Sequence, residues 1–367
     1  MKIDLIAGAR PNFMKIAPII NAIHKAQSEG KNIEYRLVHT GQHYDINMSE
    51  NFFRQLSIPK PDVNLEAGSG TQAEQTSAIM IGYEKLLMEE PSGLCLVVGD
   101  VTSTMACSIV AQKLHVKVAH VEAGIRSGDW TMPEEINRMV TDCITNYFFT
   151  TTEHAGENLL KAGINDEQIF WVGNTMIDTL LKHRPSFKKP PAWDEFGLEK
   201  GKFIVITLHR PANVDEEDKL KKLLDEIINH SRNVPLVFPV HPRTAKILKN
   251  LGISYPRLLL VEPMGYLEFN YLVENSMAVI TDSGGITEET TVMGVPCMTL
   301  RDNTERPETI TIGTNELLGT DPEAIKPALN KLFAGNWKKG SVPELWDGKT
   351  AERIVEVLLE NKVFDNS

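Results

Sequence analysis

The chain has 367 residues, of which 42% are hydrophobic and 24% are charged, a composition typical of a globular protein. Its formal net charge of −11 offers no basic surface for phosphate backbones, and no apolar stretch approaches the ~18 residues of a membrane-spanning helix. The sequence begins on an apparent strand rather than on a cleavable leader. We therefore expect a cytoplasmic protein that binds neither nucleic acid nor a membrane. At this length, two domains are more economical than one core.

Short apolar runs alternate with helix-periodic segments along the first half of the chain. The predicted strands span residues 3–7, 35–40, 94–98, 118–121, 147–150 and 169–172. The predicted helices span residues 15–26, 73–88, 104–114, 134–145 and 155–162. This alternation favours a parallel sheet with helices on both faces.

A segment rich in proline and lysine, residues 183–191, marks a joint after which the alternation resumes. The later predicted strands are 203–208, 236–240, 258–261, 278–281 and 297–300, and the later helices are 216–229, 244–251, 266–275, 287–293 and 322–333. We therefore predict an α/β protein of two Rossmann-like, doubly wound domains that face a central cleft. The predicted domains are residues 1–172 and 173–350, and residues 351–367 form a C-terminal helix that packs back on the N-terminal domain.

The predicted strand 278–281 ends at Asp282-Ser283-Gly284-Gly285, and a helix-compatible segment follows. Free backbone N–H groups and the positive end of a helix dipole meet at such a turn, and the glycines carry no side chain to keep an anion away. The motif therefore predicts a diphosphate-binding turn. Taken alone, it also fits an ordinary connection between a strand and a helix.

Ionisable residues follow several other predicted strands, at the sheet edge where doubly wound folds bind ligands. These residues are Arg10, Lys15, Asp100, Glu122, Arg126, Glu134, Glu135, Arg138, His209, Arg210, His241 and Arg243. Several carboxylates, histidines and arginines at one edge form a candidate site. From the residues alone, Arg10 and Lys15 fit either contact with a bound anion or solvated surface positions.

The motifs argue against several kinds of chemistry. The turn after the first strand lacks the second and third glycines of a dinucleotide fingerprint, so we expect no NAD. We find no metal-ligand spacing, nucleophile elbow or Walker lysine, so we expect no metal and no other cofactor. The cysteines, which we expect to be reduced, are Cys95, Cys107, Cys143 and Cys297.

As a set, the motifs resemble the non-hydrolysing UDP-N-acetylglucosamine 2-epimerases, whose fold is that of the B-type glycosyltransferases. In chain order they are GARP at 8–11 with Lys15, HTGQH at 39–43, Gly99-Asp100, HVEAG at 120–124, PEEINR at 133–138, His209-Arg210, DSGG at 282–285 with Glu288-Glu289, and Arg301 followed by TERPE at 304–308. Each motif is weak alone, and the eight in the family's order make the resemblance specific.

The resemblance implies a UDP-sugar substrate and a homodimer. The residues implied for the nucleotide are Ser283, Gly284, Gly285, Arg10 and Arg306 at the diphosphate, Glu289 at the ribose and Phe269 near the uracil. The residues implied around the sugar are Lys15, Asp100, Glu122, Glu134, Arg138 and His209. In the implied reaction, UDP leaves C1 as a base removes the C2 proton, and C2 of the resulting 2-acetamidoglucal is protonated from the other face as UDP adds back to C1, which inverts C2. Asp100, Glu122 and Glu134 are candidates for the proton transfers, with the base unassigned.

Two branches of this family act on different UDP sugars, and the sequence resembles each of them in a different segment. The stretch from 39 to 62 resembles enzymes that epimerise UDP-2,3-diacetamido-2,3-dideoxyglucuronate, whereas residues 304–308 resemble the branch acting on UDP-GlcNAc and UDP-ManNAc, which we favour. A UDP-sugar glycosyltransferase and a nucleotide-sugar sensor are further hypotheses. Neither of those has an obvious use for the carboxylates.

Overall fold

A computed structural model describes residues 2–41, 55–56, 58–210, 213, 216–240, 245, 248, 252–253 and 255–360. The chain divides into two compact units, Met1–Lys182 with Glu344–Ser367, and His183–Pro343. The first unit extends ten residues beyond the predicted limit at residue 172. The reason is a helix that was not predicted, Thr175–His183, in which the Thr179 hydroxyl donates to the Met14 carbonyl at 2.6 Å.

Seven strands of the first unit form one parallel sheet within the described residues. They are β1 Lys2–Ala7, β2 Glu34–His39, β3 Val63–Asn64, β4 Leu94–Val98, β5 Lys117–Val121, β6 Tyr147–Thr150 and β7 Ile169–Trp171. Their spatial order is β3-β2-β1-β4-β5-β6-β7. The helices of this unit are α1 Arg10–Ser28, α2 Gln72–Glu89, α3 Thr102–Lys113, α4 Pro133–Cys143, α5 Glu153–Lys161, α6 Thr175–His183 and α13 Thr350–Glu360. The central strand β4 is buried at every residue, as expected for a strand covered on both faces.

The C-terminal helix α13 belongs to the first unit, where Asp178 of α6 binds its N-terminus. The Asp178 carboxylate accepts from the backbone N–H groups of Thr350 at 3.1 Å and Ala351 at 2.7 Å. A side chain at Gly173 would clash here, because a Cβ atom built at that residue lies 2.2 Å from the Leu345 carbonyl oxygen. The helix is therefore held by tertiary capping as well as by its apolar face.

The second unit repeats the architecture with a six-stranded parallel sheet among the described residues. Its strands are β8 Ile204–Thr207, β9 Leu236–Pro239, β10 Leu258–Val261, β11 Ala278–Thr281, β12 Cys297–Thr299 and β13 Asn315–Leu317, in the order β10-β9-β8-β11-β12-β13. Its helices are α7 Pro191–Glu195, α8 Glu217–His230, α9 Tyr266–Asn275, α10 Gly284–Met293, α11 Pro307–Thr311 and α12 Ile325–Phe333. The predicted helix at 244–251 falls largely outside the described residues.

The two sheets share one topology. The strand order reverses between β1 and β4 in the first unit and between β8 and β11 in the second. Such switch points are where doubly wound sheets open a crevice for ligands. The predicted fold class, two Rossmann-like doubly wound α/β units, is confirmed. None of the described helices is both long and apolar enough to cross a membrane.

Candidate active site

The turn after β1 is closed by a side chain of the protein itself. The Asn12 carboxamide oxygen accepts from the N–H groups of Gly8 at 3.3 Å and Ala9 at 2.9 Å, and its nitrogen donates to the Val98 carbonyl at 2.9 Å. Asn12 therefore uses backbone donors that would otherwise face a ligand, and it joins the ends of β1 and β4. Helix α1 begins at Arg10, five residues before the predicted start, so Arg10 lies exposed in its first turn.

Lys15 and Glu122 form a buried ion pair beyond the ends of β1 and β5. Lys15 Nζ lies 2.7 Å from Glu122 Oε2, and the two side chains are 12% and 3% exposed. A Cβ atom built at Gly99 would lie 3.1 Å from Lys15 Nζ. The glycine at the end of β4 thus leaves room for the pair. Lys15 is therefore not a solvated surface cation.

Helix α4 holds Asp100 through both its side chain and its backbone. Arg138 donates to Asp100 Oδ2 from Nε at 3.0 Å and from Nη2 at 2.7 Å. The Asn137 carboxamide donates to the Asp100 carbonyl at 2.8 Å. Charge-assisted bonds of this kind are strong and fix the position of the carboxylate. The Asp100 side chain remains 31% exposed, and Glu134 is half-buried in the first turn of the same helix.

Glu135, which was among the ionisable residues predicted at the strand ends but was given no role, binds the arginine that holds Asp100. It accepts from the backbone N–H groups of Ser127 and Gly128, both at 3.0 Å, and forms an ion pair with Arg138. Burial opposes its ionisation, but these bonds outweigh burial and hold the pKa of Glu135 below its ordinary value. Glu135 thereby fixes the guanidinium that binds Asp100.

The face of α4 turned into the protein is polar throughout. Its buried residues are Glu135, Asn137, Arg138, Thr141 and Asp142. Ile136, by contrast, is 45% exposed. Burial of polar side chains is costly unless each finds a partner, so a helix of this composition indicates that placement of charge, and not apolar packing, determines its sequence.

In the second unit, Asp282 at the end of β11 anchors the segment after β8. The fully buried Asp282 carboxylate accepts from the backbone N–H groups of His209 and Arg210 at 3.0 and 2.9 Å, and it lies 2.8 Å from His209 Nδ1. Burial opposes ionisation, but the bonds from His209, Arg210 and Asn213 keep the pKa of Asp282 below its ordinary value. Because Nδ1 faces a carboxylate, it carries a proton, and the ring, with its side chain 63% exposed, presents Nε2 away from Asp282.

The glycine turn is a strand, a turn and a helix start, as predicted. Helix α10 begins at Gly284, and among the described residues no side-chain bond from Ser283 caps its first N–H groups. The two glycines differ in surroundings. A Cβ atom built at Gly285 meets no described atom within 4 Å, whereas one built at Gly284 lies 2.7 Å from Glu305 Oε1. Gly285 therefore leaves the helix N-terminus open to an anion, and Gly284 makes room for Glu305.

Two further ion pairs lie beside this turn. Arg301 donates to both carboxylate oxygens of Glu305, at 3.2 and 2.6 Å. Burial opposes ionisation of Glu305, but Arg301 and the charge of Arg306 lower its pKa to about 2. Arg306 is only 7% exposed, and its Nε lies 2.6 Å from Glu288 Oε1. Arg306 is thus engaged within the protein rather than extended toward solvent.

The residues predicted for the nucleoside lie on α9 and α10. Glu289 is 4% exposed and accepts from the Tyr266 hydroxyl at 2.8 Å, a partner not predicted from the sequence. Burial raises the pKa of Glu289 to about 7. Phe269, three residues after Tyr266, is half-buried and packs with Ile286 against the core.

These features define the class of protein: an α/β chain of two Rossmann-like units, with charged side chains at one switch point and an open glycine turn at the other. The likeness to a lipopolysaccharide outer core galactosyltransferase, with a TM-score of 0.52 at 14% identity, concerns the fold alone and agrees with the predicted glycosyltransferase-B-like class. A family model described as UDP-N-acetylglucosamine 2-epimerase matches residues 25–359. The chain belongs to this family, which confirms the predicted resemblance.

Relatives match nearly the whole chain. The UDP-N-acetylglucosamine 2-epimerase of Methanocaldococcus jannaschii is 42% identical over 376 residues, covering 99% of this chain and 100% of the relative. The solved structure of the M. jannaschii UDP-GlcNAc 2-epimerase in complex with UDP-GlcNAc and UDP is 41% identical with a TM-score of 0.85, covering 98% of this chain and 99% of that one. The UDP-2,3-diacetamido-2,3-dideoxy-D-glucuronate 2-epimerase of Pseudomonas aeruginosa is 40% identical, covering 98% of this chain and 99% of the relative.

Proposed function

We propose that the protein is a UDP-N-acetylglucosamine 2-epimerase that interconverts UDP-GlcNAc and UDP-ManNAc. The observation that carries the proposal is the Lys15–Glu122 pair, 2.7 Å apart, which occupies with Asp100 the switch point where a dinucleotide-binding protein would have bare backbone. A binding module or a simple glycosyl transfer has little use for such carboxylates. A reaction that moves a proton on carbon requires them.

In the proposed mechanism, UDP leaves C1 as a carboxylate removes the C2 proton, which gives a 2-acetamidoglucal. A proton then reaches C2 from the opposite face, and UDP adds back to C1. We assign the proton transfers to the set Asp100, Glu122 and Glu134. Lys15 and Arg138 act on this set by holding in place the carboxylate that each one pairs with, Glu122 and Asp100 respectively.

The second unit would bind the leaving nucleotide. Ser283, Gly284 and Gly285 supply the start of α10, and the open side of Gly285 is where the diphosphate would approach. His209, oriented by Asp282, would present its exposed ring edge to the departing diphosphate. The remaining residues proposed for the nucleotide are Arg10 and Arg306 as positive charges, Glu289 for the ribose and Phe269 for the uracil.

Incubation with UDP-GlcNAc in D₂O, followed by NMR, tests this function. We expect formation of UDP-ManNAc and deuterium at C2 of both sugars, because the abstracted proton exchanges with solvent. A parallel incubation with UDP-2,3-diacetamido-2,3-dideoxy-D-glucuronate reports on the other substrate, since the relative with that name is 40% identical. Absence of exchange and of product with UDP-GlcNAc contradicts the proposal. Consumption of the sugar only with an added acceptor would indicate a glycosyltransferase.

The proposal includes a homodimer that works in the cytoplasm. Support for the dimer comes from resemblance to the family. Support for the compartment comes from the cysteines, all four of which are unpaired, as expected under reducing conditions. Light scattering of the purified protein should give twice the mass of the chain, and the mass of a single chain would contradict the dimer.

A further inference from the structure

We propose that His120 and Asp142, with Arg126, are positioning residues that fix Glu122 and the Gly99-Asp100 turn for proton transfer. The inference rests on the proposed epimerase function. Arg126 was among the ionisable residues predicted at the strand ends and His120 lies in one of the family motifs, but none of the three was given a role in the predicted site. They form a cluster beneath the carboxyl ends of β4 and β5, on the side of the sheet covered by α4.

The imidazole of His120 bridges two acceptors. His120 is completely buried, with Nδ1 2.7 Å from Asp142 Oδ1 and Nε2 2.8 Å from the Gly99 carbonyl oxygen. A carbonyl oxygen accepts hydrogen bonds and cannot donate them, and the same is true of an ionised carboxylate. Each ring nitrogen of His120 therefore lies within hydrogen-bond distance of an acceptor. His120 thus ties the residue before Asp100 to helix α4.

Asp142 carries the connection onward to the segment after Glu122. Its second oxygen, Oδ2, accepts from the backbone N–H of Gly124 at 3.1 Å and lies 2.6 Å from Arg126 Nη1. Burial opposes its ionisation, but His120 and Arg126 together hold the pKa of Asp142 below its ordinary value. The carboxylate is therefore an ionised anchor for the turn.

Glu122 needs such an anchor because its backbone is strained. Its φ of +70° lies in the left-handed region, which residues with side chains seldom adopt. Such conformations persist where the surroundings over-determine them, and they cluster at functional sites. Here the Glu122 N–H donates to the Phe149 carbonyl at 3.0 Å, and Gly124 is so closely packed that a Cβ atom would lie 2.1 Å from the Ala155 carbonyl oxygen.

The cluster therefore connects the three segments that carry the proposed proton-transfer residues. Asp100 follows the Gly99 carbonyl that His120 holds, and Glu122 lies two residues before the Gly124 N–H that Asp142 holds. Glu134 lies on the same helix as Asp142. A buried ionic cluster also contributes to stability, so the test must separate positioning from folding.

Two substitutions of one residue make that separation. The side-chain nitrogen of Asn lies near the position of the imidazole Nδ1, and that of Gln lies near Nε2. His120→Asn thus keeps a donor toward Asp142, and His120→Gln keeps a donor toward Gly99. We expect each to lower kcat for UDP-GlcNAc epimerisation about 10- to 100-fold, the scale found for residues that orient catalytic groups, with KM changed less than about threefold. The Kd for UDP, measured by calorimetry, should not change.

Two further variants complete the experiment. His154→Gln in α5, where the ring is 54% exposed, should retain wild-type kcat and serves as the matched control. Asp142→Asn should lower kcat as the His120 variants do. Its crystal structure should show Glu122 released from its positive φ and the Lys15–Glu122 contact lengthened, and this readout does not depend on activity.

The outcomes distinguish the inference from the function on which it rests. Folded His120 variants with wild-type kcat, or a loss of kcat matched by an equal loss of UDP affinity, would overturn the positioning role. An unchanged Glu122 in Asp142→Asn would also overturn it. If the wild-type protein fails to exchange the C2 proton, the proposed function fails, and the structure of Asp142→Asn still decides whether the cluster holds Glu122.

Discussion

The two units have the same strand order around their switch points but present opposite chemistry there. At the ends of β1 and β4, Asn12 uses the N–H groups of the turn, and the space beyond the strands is filled by paired charges. At the ends of β8 and β11, helix α10 begins uncapped by Ser283 within the described residues, and Gly285 is open. The topology provides a crevice for a ligand in both units, and the side chains around each crevice determine what it can bind or catalyse.

Under the proposed function, proton transfer belongs to the first unit and nucleotide binding to the second. Substitutions at one switch point should therefore change turnover, and substitutions at the other should change nucleotide affinity.

The largest effect is expected from Glu122→Gln. An amide cannot accept the C2 proton and leaves Lys15 without its anion, so we expect kcat to fall about 10²- to 10⁴-fold, the range of general acid–base catalysis. The Kd for UDP should remain within about twofold. Steady-state kinetics and calorimetry measure the two quantities. Glu157→Gln, at an exposed position of α5, should leave both unchanged. A Glu122→Gln enzyme with near wild-type kcat would remove Glu122 from the proton-transfer set.

An intermediate effect concerns the pH dependence of stability through Glu289. Burial raises its pKa from 4.5 to about 7 in the folded state. A raised pKa means that the folded protein binds the proton more tightly, so the stabilisation is complete below the ordinary pKa and is lost as pH rises through about 7. Glu289→Gln mimics the protonated form and should raise the free energy of unfolding at pH 8 by about 1–3 kcal/mol.

Urea unfolding at two pH values measures this effect. At pH 5 the Glu289→Gln and wild-type proteins should differ little. Glu262→Gln, at an exposed position after β10, should differ from wild type at neither pH. An equal difference between Glu289→Gln and wild type at both pH values would show that proton binding by Glu289 is not its cause.

The smallest effect separates the two glycines of the second unit. Gly285→Ala places a methyl group where the diphosphate is proposed to approach, so the Kd for UDP should rise about tenfold, or ~1.4 kcal/mol, without loss of stability. Gly284→Ala must instead displace the Glu305 carboxylate from Arg301, and it should lower the free energy of unfolding by about 1 kcal/mol. Calorimetry measures the Kd for UDP of each variant, and urea unfolding measures its stability. If both variants changed the same quantity by the same amount, the proposed difference between the two glycines would be contradicted.

The alternation of strands and helices could be predicted from the sequence, because buried parallel strands appear in it as short apolar runs. The prediction missed β3, Val63–Asn64, and β13, Asn315–Leu317, because each contains polar residues and neither forms an apolar run. It placed the starts of α1 and α10 too late. Helix α1 has Ala9 at its N-cap, a residue with no side-chain acceptor, and α10 opens on two glycines, which are more typical of a turn.

The site was harder to predict from the sequence than the fold, because the buried residues that orient its side chains are distant from them in sequence. Asp282 accepts a hydrogen bond from the backbone N–H of His209, which lies 73 positions earlier in the sequence. Asp142 contacts the imidazole of His120, which lies 22 positions earlier. Single motifs show the residues at a strand end but not the buried partners that orient them. The role of Glu135, a residue named from the sequence without one, could have been predicted, because its spacing to Arg138 on the same helix indicates a pair three positions apart.

Deuterium incorporation at C2 in D₂O, compared between wild type and Glu122→Gln at saturating UDP-GlcNAc, tests the division of labour most directly. The account predicts label in both UDP sugars with the wild-type protein and almost none with Glu122→Gln, although UDP binds both proteins equally well. Exchange at the wild-type rate in Glu122→Gln, or loss of UDP binding along with exchange, would contradict it.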